Sequence, residues 1–209
     1  MNTDEILDII EEMFPDAQCE LNHKSAIELI IAVVLSAQAT DVSVNKATPA
    51  LFAAFPTLDD YDKATVEEIE SYIKQIGLYH SKARHIKTLT HQLKYEFKGE
   101  VPSTMKELTS LAGVGRKSAN VVLSVWFGIP ALAVDTHVQR VSKRLGLAKP
   151  ADTVEKVEEK LKRKIKRERW NHAHHLLIFF GRYFCTARNP KCEACPFRDI
   201  CQYLKGRTK

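Results

Sequence analysis

The sequence predicts an all-α protein. Three observations carry that expectation. Apolar residues recur at helical spacing along most of the chain. Alternation at period two is absent. Ser or Thr stands three residues ahead of Glu at Ser25 and Glu28, Thr65 and Glu68, and Thr104 and Glu107, a signature of helix N-termini. The pattern amounts to about ten helices.

In order, residues 3–14 place Ile6, Ile9, Ile10 and Met13 on one face, with Thr3 as N-cap. Ser25 and Glu28 open the very apolar segment Ala26–Leu35, expected at the centre of a core. Asp41 is placed to cap the next helix, which runs to about Phe55. Thr65 and Glu68 open a helix through Lys74, and a longer one covers Ser81–Phe97. Thr104 and Glu107 open a helix near Met105 that cannot run smoothly through Gly113-Val114-Gly115. A second begins near Arg116 or Lys117, carries Val121, Val122, Val125 and Trp126 at helical spacing, and stops at Gly128 and Pro130. Thr136–Leu145 follows Asp135. Val154–Arg169 is a highly charged helix with an apolar stripe of Val154, Val157, Leu161 and Ile165. Asn171–Phe184 leads into a group of cysteines. Gly77–Ala83 can be laid over Gly113–Ala119 as a degenerate second hairpin, with few identities.

The length of 209 residues fits one large domain or two small lobes, and 44% hydrophobic residues suffice for a core. A net charge of +5 permits nucleic-acid binding without demonstrating it. The acidic N-terminus is unlike a targeting signal, and the longest apolar run, Leu29–Leu35, is too short to span a bilayer. A soluble, cytoplasmic chain is expected, with no membrane association.

Two stretches carry chemistry. The helix, Gly-x-Gly turn, helix unit presents backbone N–H groups at a helix start, an arrangement that binds phosphate. It is equally a tight turn between helices. Lys117 sits in the first turn of its second helix. The other stretch is Cys185, Cys192, Cys195 and Cys201 in the pattern Cys-x6-Cys-x2-Cys-x5-Cys, with Cys19 standing apart. So local a group points to a metal site rather than a disulfide framework. Four thiolates suit tetrahedral zinc or an iron–sulfur cluster. Only one tight pair is present, which leans toward the cluster. A structural clip is the first reading of the site and redox chemistry the second. Arg188 and Lys191 between the ligands are solvated cations or phosphate contacts.

Taken together, residues 111–123, Ala133–Val141, Leu35–Asp41 and the cysteine pattern resemble the endonuclease III family, in collinear order from about residue 22 to 203. That resemblance implies a helix-hairpin-helix DNA glycosylase with associated lyase activity and one [4Fe-4S] cluster. It implies a central lobe, residues 22–132, with the hairpin at about 104–128. A second lobe, 1–21 plus 133–209, would hold the cluster at 185–201. Duplex DNA carrying damaged pyrimidines or abasic sites would bind across the cleft of a monomer, with the damaged base flipped out.

Roles follow by position. Lys117 matches the nucleophile, which as an unprotonated amine attacks C1′ and leaves a Schiff base; otherwise it is a phosphate-binding surface lysine. Asp135 matches the acidic partner, and is also an ordinary N-cap. Gln38 matches the residue that fills the gap in the duplex, and Leu78 an apolar wedge; read plainly, they are a helix-end polar residue and a core leucine. Gly113, Val114 and Gly115 would supply phosphate contacts. Thr136, His137 and Arg140 follow the family pattern among DNA contacts, although His137 equally fits a buried structural role. Ala112 stands where the family often has proline, and is expected to loosen the hairpin entry slightly. An adenine-mispair glycosylase fits less well, because it typically lacks lysine at position 117 and carries a further domain. A pyrimidine-dimer glycosylase on the same scaffold is compatible with these motifs. A non-catalytic DNA-structure binder would not need both Lys117 and Asp135.

Overall fold

The computed structural model describes residues 1–206. Among these the chain forms twelve α-helices, one 3₁₀ turn and one π turn. It divides into two compact units: Glu20–Phe127, and Met1–Cys19 joined with the chain from Gly128 onward.

The Glu20–Phe127 unit is built around α2, Ala26–Leu35. Leu29 to Leu35 are all buried, so this helix has no solvent face and must be wrapped by others. It packs against α3 (Asp41–Ala54), α6 (Tyr79–Tyr95) and α8 (Arg116–Val125). Ser25 caps it, accepting from the Glu28 N–H at 3.1 Å. The Glu28 carboxylate reaches Lys24 N rather than closing the expected box on Ser25. The box at Thr65 and Glu68 does close and opens α5, Val66–Ile73. Thr40, not Asp41, caps α3. Likewise Asn2, not Thr3, caps α1 (Thr3–Met13), in a box with Glu5.

One helix here has no signal in the apolar pattern: α4, Leu58–Lys63, capped by Thr57. It is too short to show a period and buries only Tyr61. Long side chains of α6 hold it. Lys87 Nζ donates to the carbonyls of Tyr61 and Asp62 at 2.9 and 2.5 Å, where helix carbonyls lack partners of their own. Asp62 accepts from Lys94, the Tyr95 hydroxyl and His91 at 2.8, 2.7 and 3.2 Å.

The other unit joins both ends of the chain. Ile6, Leu7 and Ile10 of α1 enter one core with Val138 and Val141 of α9 (Thr136–Arg144). Val157 and Leu161 of α10 (Val154–Lys164), and Leu176 and Leu177 of α11 (Trp170–Phe179), complete it. Arg169 forks onto Asp4, Asp8 and Glu11 of α1 at 3.2, 2.7 and 3.4 Å. These acids are more than a third exposed, so apolar burial holds α1 and the ion pairs orient it.

The continuous helix Val154–Arg169 expected from the pattern breaks at Ile165, whose backbone is extended. Its carbonyl accepts from Trp170 Nε1 at 3.0 Å, and a 3₁₀ turn at Arg167–Arg169 follows. Val154, expected in the buried stripe, is 38% exposed. The helix expected over Asn171–Phe184 also changes character: Phe180–Phe184 is a π turn, closed by Cys185 N–H on Phe180 O. π turns gather at functional sites because they release carbonyls from the regular ladder.

The Lys94 ammonium, with Tyr95 and His91 behind it, holds the Asp62 carboxyl well below the usual carboxylate range. A depressed folded pKa stabilises fully above the unfolded value, about 4, and that stabilisation is lost as pH falls further. Asp62→Asn removes this dependence. Below pH 4 the wild-type melting temperature should fall more steeply than that of the variant; parallel curves would show that the contact adds nothing.

Candidate active site

The hairpin follows α7 (Met105–Ser110), which Thr104 caps by accepting from Glu107 N at 3.2 Å. Gln92 of α6 brackets the entry: its Oε1 accepts from Ala112 N at 2.9 Å and its Nε2 donates to Ser110 O at 3.2 Å. The first of these bonds needs an N–H at position 112, which proline lacks. The loosening expected from Ala112 is therefore offset by a bond that proline could not make.

Gly113 turns the chain at φ +76°, and a Cβ there would stand 3.0 Å from His85 Cβ. The left-handed turn and the close approach both require glycine. The Val114 side chain is buried and its N–H bonds to Leu111 O at 3.1 Å. Gly115 is the N-cap of α8, in a conformation open to any residue (φ −91°), with nothing within 4 Å of a Cβ. It brings no side-chain cap to the start of α8, an arrangement that suits an anion. Lys117, exposed, stands in that same first turn.

Gln38 and Leu78 share an unusual backbone. Both have positive φ, +54° and +62°, a state that costs a non-glycine residue about 1–2 kcal/mol. Leu78 is 60% exposed, which disposes of the core-leucine reading. Gln38 is exposed on the turn after α2. A strained, outward-facing apolar residue at a helix start points to a function outside the chain.

Asp135 is the N-cap of α9, its Oδ1 accepting from Val138 N at 2.8 Å. Thr136 beside it is exposed. His137 is half-buried, and burial, with Arg140 and Arg182, pushes its pKa down against the opposing pull of Asp135. Arg140 Nη2 lies 3.2 Å from His137 Nδ1, which assigns that nitrogen as acceptor. The Arg140 guanidinium also donates to Gly181 O at 2.7 Å and to Cys185 O at 3.2 and 3.3 Å. The sequence pattern places Arg140 among the DNA contacts; in the structure these bonds tie it from α9 to the π turn.

Cys185, Cys192, Cys195 and Cys201 line one pocket with Phe180 and Phe184. None is in a disulfide. Burial pushes the Cys195 thiol up, and the other three cysteines add to that. Four thiols gathered on one apolar pocket suit a cationic core that binds all of them. Between the ligands, Arg188 and Lys191 are exposed, with Asn189 between them at φ +52°.

These features join a helix, glycine hairpin, helix unit to a loop of four cysteines. The HhH-GPD superfamily base excision DNA repair protein family matches residues 31–167, and the iron-sulfur binding domain of endonuclease III matches 185–201. The second match decides for iron–sulfur the choice that cysteine spacing leaves open. Endonuclease III of Bacillus subtilis (strain 168) is 50% identical over 203 residues, 97% of this chain and 93% of that protein. Endonuclease III of Escherichia coli (strain K12) is 49% identical over 199 residues, 95% of this chain and 94% of that protein. The solved structure of a trapped endonuclease III–DNA covalent intermediate, an estranged-adenine complex, matches with a TM-score of 0.95 at 50% identity, covering 100% of each chain. The chain belongs to the endonuclease III family. No helix among the described residues is long and apolar enough to cross a membrane.

The two hairpin glycines should separate on substitution. Gly113→Ala forces left-handed alanine against His85 and should lower the melting temperature, at a cost of about 1–2 kcal/mol. Gly115→Ala meets no neighbour, so it should melt close to wild type yet bind duplex DNA more weakly. Thermal denaturation beside a DNA titration at fixed salt measures both, and unchanged affinity in Gly115→Ala would remove that phosphate seat.

Proposed function

We propose that the chain excises oxidised or ring-saturated pyrimidines from duplex DNA and then cuts the strand 3′ to the abasic site, working in the cytoplasm as a monomer. The observation that carries this reading is Lys117, an exposed amine in the first turn of a helix whose N-terminus has no side-chain cap. The uncapped N–H groups suit a phosphate, and the amine is one turn or less from them. In the family to which the chain belongs, glycosylase and lyase activities go together.

The chemistry follows from what a primary amine can do. Lys117 Nζ, unprotonated, attacks C1′ of the damaged nucleotide, and the bond from C1′ to the base breaks with the electron pair leaving on the base. The proton shed by the attacking nitrogen goes to a base, the part that the family pattern gives to the Asp135 carboxylate. Opening of the sugar gives a Schiff base between Nζ and C1′. Loss of a C2′ proton then expels the 3′ phosphate, and water releases Lys117. The capping bond from Val138 N holds the Asp135 carboxylate in one orientation.

Leu78 and Gln38 act on the duplex. Leu78 wedges into the stack, and Gln38 fills the gap left by the flipped nucleotide. Their positive φ values are the strain expected of segments that the fold forces outward. Gly113 and Gly115 bring the backbone close to a phosphate, and Thr136 adds a polar contact beside Asp135. The four cysteines hold one [4Fe-4S] cluster, which clips the loop carrying Arg188 and Lys191 into a shape fit to meet DNA backbone.

Lys117→Gln keeps length and polarity but cannot form an imine. Affinity for lesion duplex should survive largely intact, while base release and strand scission both collapse, as a gel-shift and a cleavage panel of duplexes each bearing one defined lesion would measure. Retained base release with scission alone lost would make water the first nucleophile. Leu78→Ala should slow excision of a lesion base more than cleavage of a pre-formed abasic site, where there is no base to extrude. Equal losses on both substrates would return Leu78 to a packing role.

A further inference from the structure

Arg144 closes α9 and has a set of contacts that the excision chemistry does not use. Its Nη1 lies 3.3 Å from Cys185 Sγ and donates to Thr186 O at 2.8 Å and Cys185 O at 3.4 Å. Its Nη2 donates to Ala187 O at 3.4 Å. The guanidinium carbon stands 4.2 Å from the centroid of the Tyr203 ring, on the segment just past Cys201. One side chain thus touches the first ligand sulfur, the start of the ligand loop and the ring beyond the last ligand.

We propose that Arg144 is a positioning residue for the iron–sulfur cluster, raising its reduction potential and slowing its oxidative loss through the bond to Cys185 Sγ. The physical case has two parts. A cation that donates to a ligand sulfur stabilises the more negative redox state, so it shifts the potential upward. The fork holds one donor on the sulfur while others hold carbonyls, a geometry that a lysine ammonium cannot reproduce. Because Arg140 meets the Cys185 carbonyl as well, the segment entering the cluster is held from α9 at two successive turns.

Arg198 provides the comparison. Its Nη1 donates to the carbonyls of Cys192 and Glu193 at 3.2 and 3.3 Å rather than to a ligand sulfur. It therefore tests whether any arginine on the loop has the same effect.

The experiment uses anaerobically purified holoprotein of wild type, Arg144→Met, Arg144→Lys and Arg198→Met. Iron and sulfide per chain, the rate of visible bleaching in air and the midpoint potential by direct voltammetry are measured. Arg144→Met should bleach several-fold faster and show a lower potential; a tenfold change in the redox equilibrium corresponds to about 59 mV for one electron. Arg144→Lys should fall between it and wild type. Arg198→Met should keep the wild-type potential. If Arg144→Met retains no iron, Arg144→Lys decides, and wild-type potential and bleaching in that variant overturn the proposal. Equal shifts in Arg144→Met and Arg198→Met overturn it too, because they would mean general loop packing. Absence of iron from wild type itself would strike at the cluster assignment, a distinct failure.

Discussion

An α-helix cannot bond its own first N–H groups, and α8 begins on a glycine that offers them no side-chain cap. The proposed chemistry depends on that constraint. To present the groups outward the chain must reverse within a few residues, which takes the left-handed Gly113 packed on His85. To hold the reversal still, Gln92 bonds both Ser110 O and Ala112 N. Behind these sits α2, buried from Leu29 to its end, which fixes the position of α8. Lys117 inherits its place from this arrangement, one side chain in the first turn of α8.

The unit holding the cysteines works by a related rule with the sign reversed. There it is carbonyls that the regular ladder releases, and arginines that answer them. The π turn at Phe180–Phe184 frees Gly181 O for Arg140, and the carbonyls of Cys185, Thr186 and Ala187 meet Arg140 and Arg144. Gly181 has no side chain because one would collide with His137 Cβ and Val141 at 3.0 Å. The cluster loop is thus seated on α9, the same helix whose N-cap is Asp135.

Local signals are legible in the sequence wherever the physics is local. The caps at Ser25, Thr65 and Thr104 can be read from two residues each, and all three side chains do accept from the third helical residue. Gly113 and Gly115 mark the hairpin for the same reason. What cannot be read depends on distant contacts. The break at Ile165 is answered by Trp170, and α4 exists because α6 supplies Lys87 and Lys94. Positive φ at Gln38 and Leu78 has no sequence signature, since neither is glycine or asparagine. Their roles come only from family resemblance, which is also what distinguishes Lys117 from a surface lysine. Arg140 shows the converse: its position in the pattern suggests DNA, and only the structure shows its bonds turned inward.

The proposed chemistry rests on one amine, Lys117, which forms the covalent bond to the damaged strand. Borohydride reduction of an abasic duplex mixed with the protein, followed by peptide mapping of the trapped adduct, tests it most directly. A single adduct on Lys117 is expected in wild type, and no trapping in Lys117→Gln. An adduct that maps to a different amine, at wild-type yield in the variant, would contradict it.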